Sequence, residues 1–419
     1  MSVTIGIDFG TSFCSASWLN PATGKPEAVR FRESGSEKMP SVVAFTRSNK
    51  VVVGDAPYLA LEDAATADEE ERRLIQENTI TGVKTRMRKG NKYLRPKTTY
   101  GDDDIISFIL RKIKEQVQES CRLDGSIEKV VLTHPVVFEE WKKDCLKHAA
   151  ALAGFKKVKL FEEPVSVALF AIKSGVIPAS CKGLLVYDFG ASTFDVAYVK
   201  IENDGDLHLP LAPQGDSNCG GDDIDLALYR DWEKYVYVTK GKHITSNPEE
   251  VDLAFLCRCR RQKEQLSRGQ MADYISAYIP GVGNVHREFS ETDFNRIIEP
   301  WIDKTISKTQ QVFKDIQASR LPLDCAILIG GSSRLPMVQT KMENLLGSGV
   351  KVVTTGALDV AVAVGAMYSV ETIVKKADVP APPKIAEPTK HFCIYCGKPI
   401  LSNEKFCMNC GKPNFSYRP

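Results

Sequence analysis

No uninterrupted apolar run of membrane-spanning length occurs in this 419-residue chain. The first residues form a strand pattern and lack the charged segment and apolar core of a secretory signal. We therefore expect no membrane contact and a cytoplasmic location.

Charge of one sign is also scarce. The 55 lysines and arginines nearly balance the 53 aspartates and glutamates, so the formal net charge is only +2. A charge this small gives no argument for a nucleic-acid or anionic-membrane surface. The hydrophobic content of 43% is that of an ordinary globular protein, and the length allows two or three domains.

The 12 cysteines do not have the spacing of a disulfide framework. Four lie together near the C-terminus and the others are scattered along the chain. This distribution favours reduced thiols plus one metal site.

Two similar segments, VTIGIDFGTSF near the N-terminus and LLVYDFGASTFD near the middle, each run from an apolar strand into Asp-Phe-Gly. Gly10 and Gly190 can take backbone angles closed to other residues, which lets N–H groups approach a phosphate chain. Asp8 and Asp188 would face each other across a cleft and suit a hydrated Mg²⁺. One copy is explained equally well by a hairpin, but two copies favour a two-lobed nucleotide clamp.

Other candidate residues have a structural explanation beside the functional one. Lys84 could hold a phosphate, but the residues alone favour a solvated basic face. Glu162 and Glu163 could bind a metal-bound water, or simply stabilise a helix N-terminus by about 0.3–1 kcal/mol. Gly220 and Gly221 precede a helix and offer an anion site, and a plain glycine loop explains them equally well.

Strands and helices are expected to alternate in the way that builds parallel sheets. The predicted strands lie at 130–132 and 158–161, each followed by a helix, at 138–153 and 163–173. A single helical stretch is predicted at 57–74, and a small-residue helix at 357–370 can pack closely against another element.

Taken together, the motifs resemble the ATPase domain of the heat shock protein 70 (DnaK-type) chaperones, within the actin and sugar-kinase superfamily. The resemblance covers residues 6–370 through IGIDFGTS, MPSVVAF, VKTRM, VLTHPVVF, FEEPVSVAL, VYDFGASTFDVA, GDSNCGGDDID, LIGGSSRLP and ALDVAVAVGA, in that order. It implies an α/β, two-lobed actin-like ATPase fold with duplicated ribonuclease-H-like domains that closes over ATP with Mg²⁺ and K⁺. The expected nucleotide-binding domain is 1–376, with lobe I at about 1–181, lobe II at about 182–357 and a closing helix at 358–371.

The resemblance also assigns roles to single residues. Lys84 matches the lysine that positions the hydrolytic water, which reverses the preference above, and Glu163, Asp195 and Thr193 match its catalytic neighbours. Asp8 and Asp188 match the carboxylates around the metal. For ATP or ADP, the residues Gly10, Thr11 and Ser12 resemble the first phosphate loop, and Gly190, Ala191, Ser192 and Thr193 the second. Gly220 and Gly221 resemble a pair near the ribose and phosphates. The positions that align around the adenosine are Lys263, Ser267, Gly330, Gly331, Ser332, Arg334 and Asp359.

Three features depart from the family pattern. Ala191 and Ser192 replace two of three consecutive glycines, which could lower turnover or affinity. Glu264 stands where the family stacks an arginine on adenine, so the choice of nucleotide is less secure. The residues after the ATPase region show no leucine-rich linker, peptide-binding β-sandwich or helical lid.

A Pro-rich linker at 377–390 is expected to precede a small zinc ribbon at 391–414. Two Cys-x-x-Cys pairs, Cys393 with Cys396 and Cys407 with Cys410, would hold one tetrahedral Zn²⁺. Metal binding of this class supplies about 10–16 kcal/mol of folding free energy. A redox pair does not predict a doubled motif. Zinc ribbons bind proteins or nucleic acids, and the near-neutral charge does not decide between them.

The sequence therefore predicts a DnaK-like chaperone-type ATPase without a substrate-binding domain, slow in hydrolysis, whose ribbon recruits a protein client or partner. The alternative is a nucleotide-dependent scaffold or switch that binds ATP and hardly cleaves it. The retained Lys84, Glu163, Asp8, Asp188 and Asp195 favour the ATPase.

Overall fold

The structure is a computed structural model of the 419-residue chain. It describes residues 3–64, 67–95, 98–123, 125–203, 205–245, 250–268, 274–279, 281–354, 356–370, 390–392 and 399–401. The chain divides into two compact units, Met1–Ala377 and Asp378–Pro419.

The strands of the described residues are, in chain order, β1 (Val3–Phe9), β2 (Phe13–Asn20), β3 (Lys25–Ala28), β4 (Met39–Pro40), β5 (Val43–Phe45), β6 (Val51–Val53), β7 (Thr79–Ile80), β8 (Tyr93–Arg95), β9 (Thr98–Tyr100), β10 (Ile127–His134), β11 (Lys157–Glu162), β12 (Gly183–Phe189), β13 (Phe194–Ile201), β14 (Leu207–His208), β15 (Gln214–Asp216), β16 (Tyr274–Ile279), β17 (Gly283–Glu288), β18 (Cys325–Ile329), β19 (Lys351–Val353), β20 (Lys390–Phe392) and β21 (Pro399–Leu401).

The helices are α1 (Asp55–Asp63), α2 (Glu69–Asn78), α3 (Val83–Arg86), α4 (Asp102–Ser120), α5 (Glu140–Leu152), α6 (Glu163–Lys173), α7 (Gly221–Lys240), α8 (Leu253–Ser267), α9 (Glu291–Ala318), α10 (Pro336–Leu346) and α11 (Ala361–Tyr368), with 3₁₀ turns at Gly331–Arg334 and Gly356–Val360. Within the described residues, no helix combines the length and apolarity needed to cross a bilayer.

Two six-stranded sheets share one plan. In the first, β1 pairs antiparallel with β2 and parallel with β10, which pairs parallel with β11. In the second, β12 pairs antiparallel with β13 and parallel with β18, which pairs parallel with β19. The central strands are buried on both faces, which explains their nearly continuous apolar sequences. The duplicated α/β fold expected from the sequence is confirmed.

Helices α6 and α11 pack against each other between the two sheets. Ser166 on α6 donates a hydrogen bond to the carbonyl oxygen of Val362, 2.7 Å away. A Cβ atom on Gly365 of α11 would lie only 1.8 Å from the carbonyl oxygen of Ser166. Gly365 is therefore required by the close contact between the two helices, which agrees with the close packing that the sequence suggested for this segment.

The prediction of a single helix at 57–74 is wrong, because two helices, α1 and α2, occupy this region. The Asp68 side chain accepts a hydrogen bond from the backbone N–H of Glu71, 2.8 Å away. This N-cap begins a new helix. It depends on one side-chain hydrogen bond, which the charge composition of the segment does not reveal.

In the second unit, β20 and β21 form an antiparallel pair in which Phe392 faces Pro399. The four predicted zinc ligands, Cys393, Cys396, Cys407 and Cys410, lie outside the described residues.

Candidate functional site

Three aspartates from the two sheets are electrostatically coupled. Asp8 lies near the end of β1, whereas Asp188 of β12 and Asp195 of β13 are directly paired across their hairpin. The negative charge of Asp8 contributes to the raised pKa of Asp188, so the two carboxyl groups lie within electrostatic range of each other. That Asp8 and Asp188 face each other across a cleft stays a prediction.

A buried ion pair lies beside these aspartates. Lys84 is on α3, a one-turn helix that follows Gly82 in the left-handed conformation (φ 64°). Glu163 begins α6, where Pro164 occupies the first turn. The Nζ atom of Lys84 is 2.9 Å from Oε1 of Glu163, and both residues are only 7% exposed.

Burial and mutual repulsion perturb the carboxyl groups. Burial raises the pKa of Asp8 to about 6, and the nearby Glu163 carboxylate adds to the shift. Burial raises the pKa of Asp188 to about 8, again with a contribution from Glu163. The pKa of Asp195 is raised well above its usual range for the same reasons. Lys84 opposes each shift with its positive charge.

Lys84 itself is kept protonated. Burial alone would lower the pKa of this ammonium group, but the attraction of Glu163 and Asp8 outweighs it, and the net shift is upward. The lysine is therefore a fixed cation among several acidic groups.

The donor set fits a hydrated cation. Among the described residues, Oδ1 of Asp195 is buried and accepts no hydrogen bond. A cavity of about 10 Å³, lined in part by Glu163, Asp188 and Asp195, is near the smallest size that can hold one water molecule. No three acidic, histidine or cysteine side chains of the described residues are grouped tightly enough to coordinate one ion directly. Carboxylate oxygens are the kind of group that suits Mg²⁺, which proteins commonly bind with several of its waters retained.

Residues 10–12, which we call the first loop, are anchored by Ser41. The backbone N–H of Ser41 donates to the carbonyl oxygen of Ser12 at 2.8 Å, and its hydroxyl donates to that of Gly10 at 2.8 Å. Both hydrogen bonds are accepted by backbone carbonyl oxygens of the first loop. Thr11, which lies between Gly10 and Ser12, is 8% exposed.

Residues 190–193, the second loop, are held by two other predicted segments. The N–H of Gly221 and the hydroxyl of Ser332 both donate to the carbonyl oxygen of Gly190, at 3.0 and 2.9 Å. The N–H of Gly190 donates to the carbonyl oxygen of Thr193 at 3.0 Å. Three glycine-containing segments that are far apart in the sequence thus contact one another at the carbonyl oxygen of Gly190.

Ala191 and Ser192 of the second loop, which replace two glycines of the family pattern, are accommodated. A Cβ atom on Gly220 would lie 2.4 Å from the carbonyl oxygen of Ala191 and from Cα of Ser192. The missing side chain at Gly220 is what leaves room for this loop. The hydroxyl of Ser192 donates a hydrogen bond to the carboxylate of Asp222.

The cation-rich segment 251–267 by itself predicts a helix with a solvated face, but two cations of α8 bind buried or partly buried carboxylates. Lys263 contacts Oδ1 of the fully buried Asp225 at 2.7 Å and donates to the carbonyl oxygen of Gly221 at 2.8 Å. Arg260 bridges the same Asp225, at 3.0 Å, and Asp222, at 2.7 Å. Sequence reasoning missed Arg260, Asp222 and Asp225; the spacing of three between Arg260 and Lys263 was the available signal, since it places both on one helix face.

The remaining predicted positions are distributed around this core. The Ser267 hydroxyl donates to the carbonyl oxygen of Lys263 at 2.6 Å, within its own helix, and Glu264 is exposed. Arg334 forms an ion pair with Asp359. Gly330 has φ 84°, and a Cβ atom there would lie 2.4 Å from the carbonyl oxygen of Phe189. The third glycine segment therefore packs directly against the end of β12.

Comparison with known protein families gives two matches. The family model described as "Hsp70 protein" matches residues 4–379. The chain belongs to the heat shock protein 70 family. A second model, described as "zinc-ribbon domain", matches residues 392–414.

Relatives in this family carry the name chaperone protein DnaK. Those of Thermotoga neapolitana and Thermosipho melanesiensis are 31% and 27% identical to this chain, over 353 and 355 residues. Each alignment covers 82% of this chain and 55% of the relative. The chain thus spans about half the length of these curated relatives.

Proposed function

We propose that this member of the heat shock protein 70 family binds ATP with Mg²⁺ and hydrolyses it slowly. The observation that carries the proposal is the buried Lys84–Glu163 pair beside Asp8, Asp188 and Asp195. A fixed ammonium group surrounded by acceptors can orient both a water molecule and a terminal phosphate. A merely structural ion pair would not explain three further carboxyl groups with raised pKa values.

The proposed chemistry is positioning with charge neutralisation, and it needs no covalent intermediate. Lys84 donates a hydrogen bond to the attacking water or the terminal phosphate. Asp195, through its unpaired Oδ1, accepts a hydrogen bond from that water, and Glu163 holds Lys84 in place. Thr193, which immediately precedes β13, supplies a further hydroxyl. Mg²⁺, when bound near Asp8 and Asp188 through water, would neutralise charge on the phosphates; K⁺ is proposed as an additional ion.

The proposed location of the nucleotide follows from the loops. The first and second loops, with Gly220 and Gly221, surround the phosphates, while the Gly330–Ser332 segment and α8 lie on the adenosine side. We also propose a chaperone-type role for this chain, like that named for its longer relatives. The zinc ribbon, with Zn²⁺ on its four cysteines, would recruit a protein client.

A nucleotide-dependent scaffold is the second candidate. It is favoured by Ser192, whose hydroxyl is bonded to Asp222 within the protein. A loop tied in this way could bind ATP firmly and still present its amides poorly to the transition state.

Single-turnover ATP hydrolysis with Mg²⁺ and K⁺ tests the proposal. We expect cleavage in the wild type and a loss of about 100-fold or more in Lys84→Ala and Glu163→Ala, with nucleotide binding retained. Lys89→Ala, an exposed lysine of the same segment, is the matched control. ATP binding without turnover above that of the variants would favour the scaffold instead.

A further inference from the structure

Asp359 is shared by a cation from each sheet region. Its Oδ1 lies 3.3 Å from Nζ of Lys38, which precedes β4 in the first sheet region. The same oxygen pairs with Arg334, in the 3₁₀ turn that follows β18 of the second. The carboxylate therefore connects the two halves of the nucleotide cleft.

Lys38 belongs to a segment that runs along the first loop. Strand β4 pairs antiparallel with the start of β2, so that Pro40 faces Phe13. Ser41, at the end of this segment, binds the carbonyl oxygens of Gly10 and Ser12. The backbone at Lys38 is thus fixed beside the first loop by hydrogen bonds independent of its own side chain.

The charges around the cleft are unevenly balanced. Lys84 is matched by Glu163, and the two cations Arg260 and Lys263 are matched by Asp222 and Asp225. Lys38 and Arg334, by contrast, share the single carboxylate of Asp359. This group of three carries one surplus positive charge.

We propose that Lys38 is a further phosphate-binding residue of the nucleotide site, whose ammonium group is directed into the cleft by Asp359. The proposal rests on the ATP-binding function proposed above and names a residue that none of the sequence motifs assigned. An ammonium group has three donors on a flexible stem, so it can contact Asp359 and a phosphate oxygen together.

The exposure of Lys38 supports this role, because its side chain is 36% exposed and the ammonium group is therefore accessible to a ligand. The segment that carries Lys38 is bonded to the first loop through Ser41, so a phosphate chain bound at that loop would lie beside this segment.

The test compares the affinities of ATP, ADP and adenosine for the 419-residue wild-type chain and its variants Lys38→Ala, Lys38→Gln and Lys38→Arg, by calorimetry with Mg²⁺. We expect both neutral variants to lose about 10- to 100-fold in ATP affinity, the effect of one charge-assisted hydrogen bond. Adenosine affinity should stay within about 3-fold of wild type, because adenosine has no phosphate. Lys38→Arg should recover most of the ATP affinity, and the exposed Lys50→Ala is the matched control.

The outcomes separate this role from a purely structural one. Equal losses for ATP and adenosine in the neutral variants would mean that Lys38 only joins the two halves of the cleft, and the proposal would be overturned. Unchanged ATP affinity in variants with wild-type thermal unfolding would overturn it too, while the proposed function would stand. Failure of the wild type to bind ATP would overturn both proposals, and is seen before any variant is compared.

Discussion

Lys84 and Glu163, 79 residues apart in the sequence, form a buried ion pair with an Nζ–Oε1 distance of 2.9 Å. Lys84 stands on a helix of one turn, and Glu163 is the first residue of a long apolar helix packed between the sheets. The pair therefore links a surface segment to the centre of the molecule. Its two members have opposite effects on the neighbouring aspartates, because Glu163 raises their pKa values and Lys84 lowers them.

This asymmetry predicts unequal costs of removing the two partners. Lys84→Met leaves several acidic groups without their cation and should lower the free energy of unfolding by about 3–5 kcal/mol. Glu163→Gln also removes a source of repulsion for the three aspartates, so its cost should be clearly smaller. Urea unfolding of both variants and of the double variant measures the difference. Equal costs for the two single variants would contradict the electrostatic account.

The raised carboxyl pKa values predict that stability falls as pH rises. An aspartate of the unfolded chain titrates near 3.8, whereas the folded values are about 6 for Asp8 and about 8 for Asp188. Between these values the folded state binds more protons than the unfolded state, so the free energy of unfolding decreases from about pH 4 to about pH 8. Well above pH 8, Asp8 and Asp188 are ionised in both states, and their unfavourable contribution to the free energy of unfolding no longer changes.

Urea unfolding in the presence of a chelator, at about pH 5, 6.5 and 8, measures this dependence. Asp188→Asn should show a shallower decrease than wild type, and Mg²⁺ should restore part of the stability of wild type at the highest pH. The idea fails if Asp188→Asn and wild type have the same pH dependence.

Gly220 should tolerate no side chain, although its backbone is extended (φ −154°) and open to any residue. In Gly220→Ala the new Cβ atom would be 2.4 Å from the carbonyl oxygen of Ala191, so the second loop must move. A displacement of roughly 1 Å can cost about 100-fold in rate, and single-turnover hydrolysis should show a loss approaching that size. Gly349→Ala, where the new Cβ atom has no neighbour within 4 Å, is the control. Wild-type turnover in Gly220→Ala would show that the loop position is not critical.

The two Cys-x-x-Cys pairs predict one zinc ion per chain, held by four thiolates. Metal analysis of the purified protein should find about one equivalent of zinc in wild type and in Cys121→Ser, a partly buried thiol of the first unit. Cys407→Ser should lose the metal. Zinc retained in that variant would exclude Cys407 as a ligand.

Much of the fold follows from local sequence. The helix predicted at 163–173 has the observed bounds of α6, because Glu163 and Pro164 both favour a first turn and an apolar run follows. The duplicated Asp-Phe-Gly strands identified the two sheets and the aspartates at their ends. The break between α1 and α2 was not predicted, since one N-cap at Asp68 decides it within a uniformly charged stretch.

The sequence by itself determined the element types, the duplication and the family, because these depend on local patterns of apolar residues, glycines and strand ends. Only the tertiary structure decided which charged side chains meet. Composition assigned Lys84 and Arg260 to solvated faces, yet both bind buried carboxylates. Nothing in the sequence indicated that Lys38 and Asp359 would be neighbours, yet Nζ of Lys38 lies 3.3 Å from Oδ1 of Asp359. A charged residue on an amphipathic segment is compatible with water or with a distant partner, and long-range packing selects between the two.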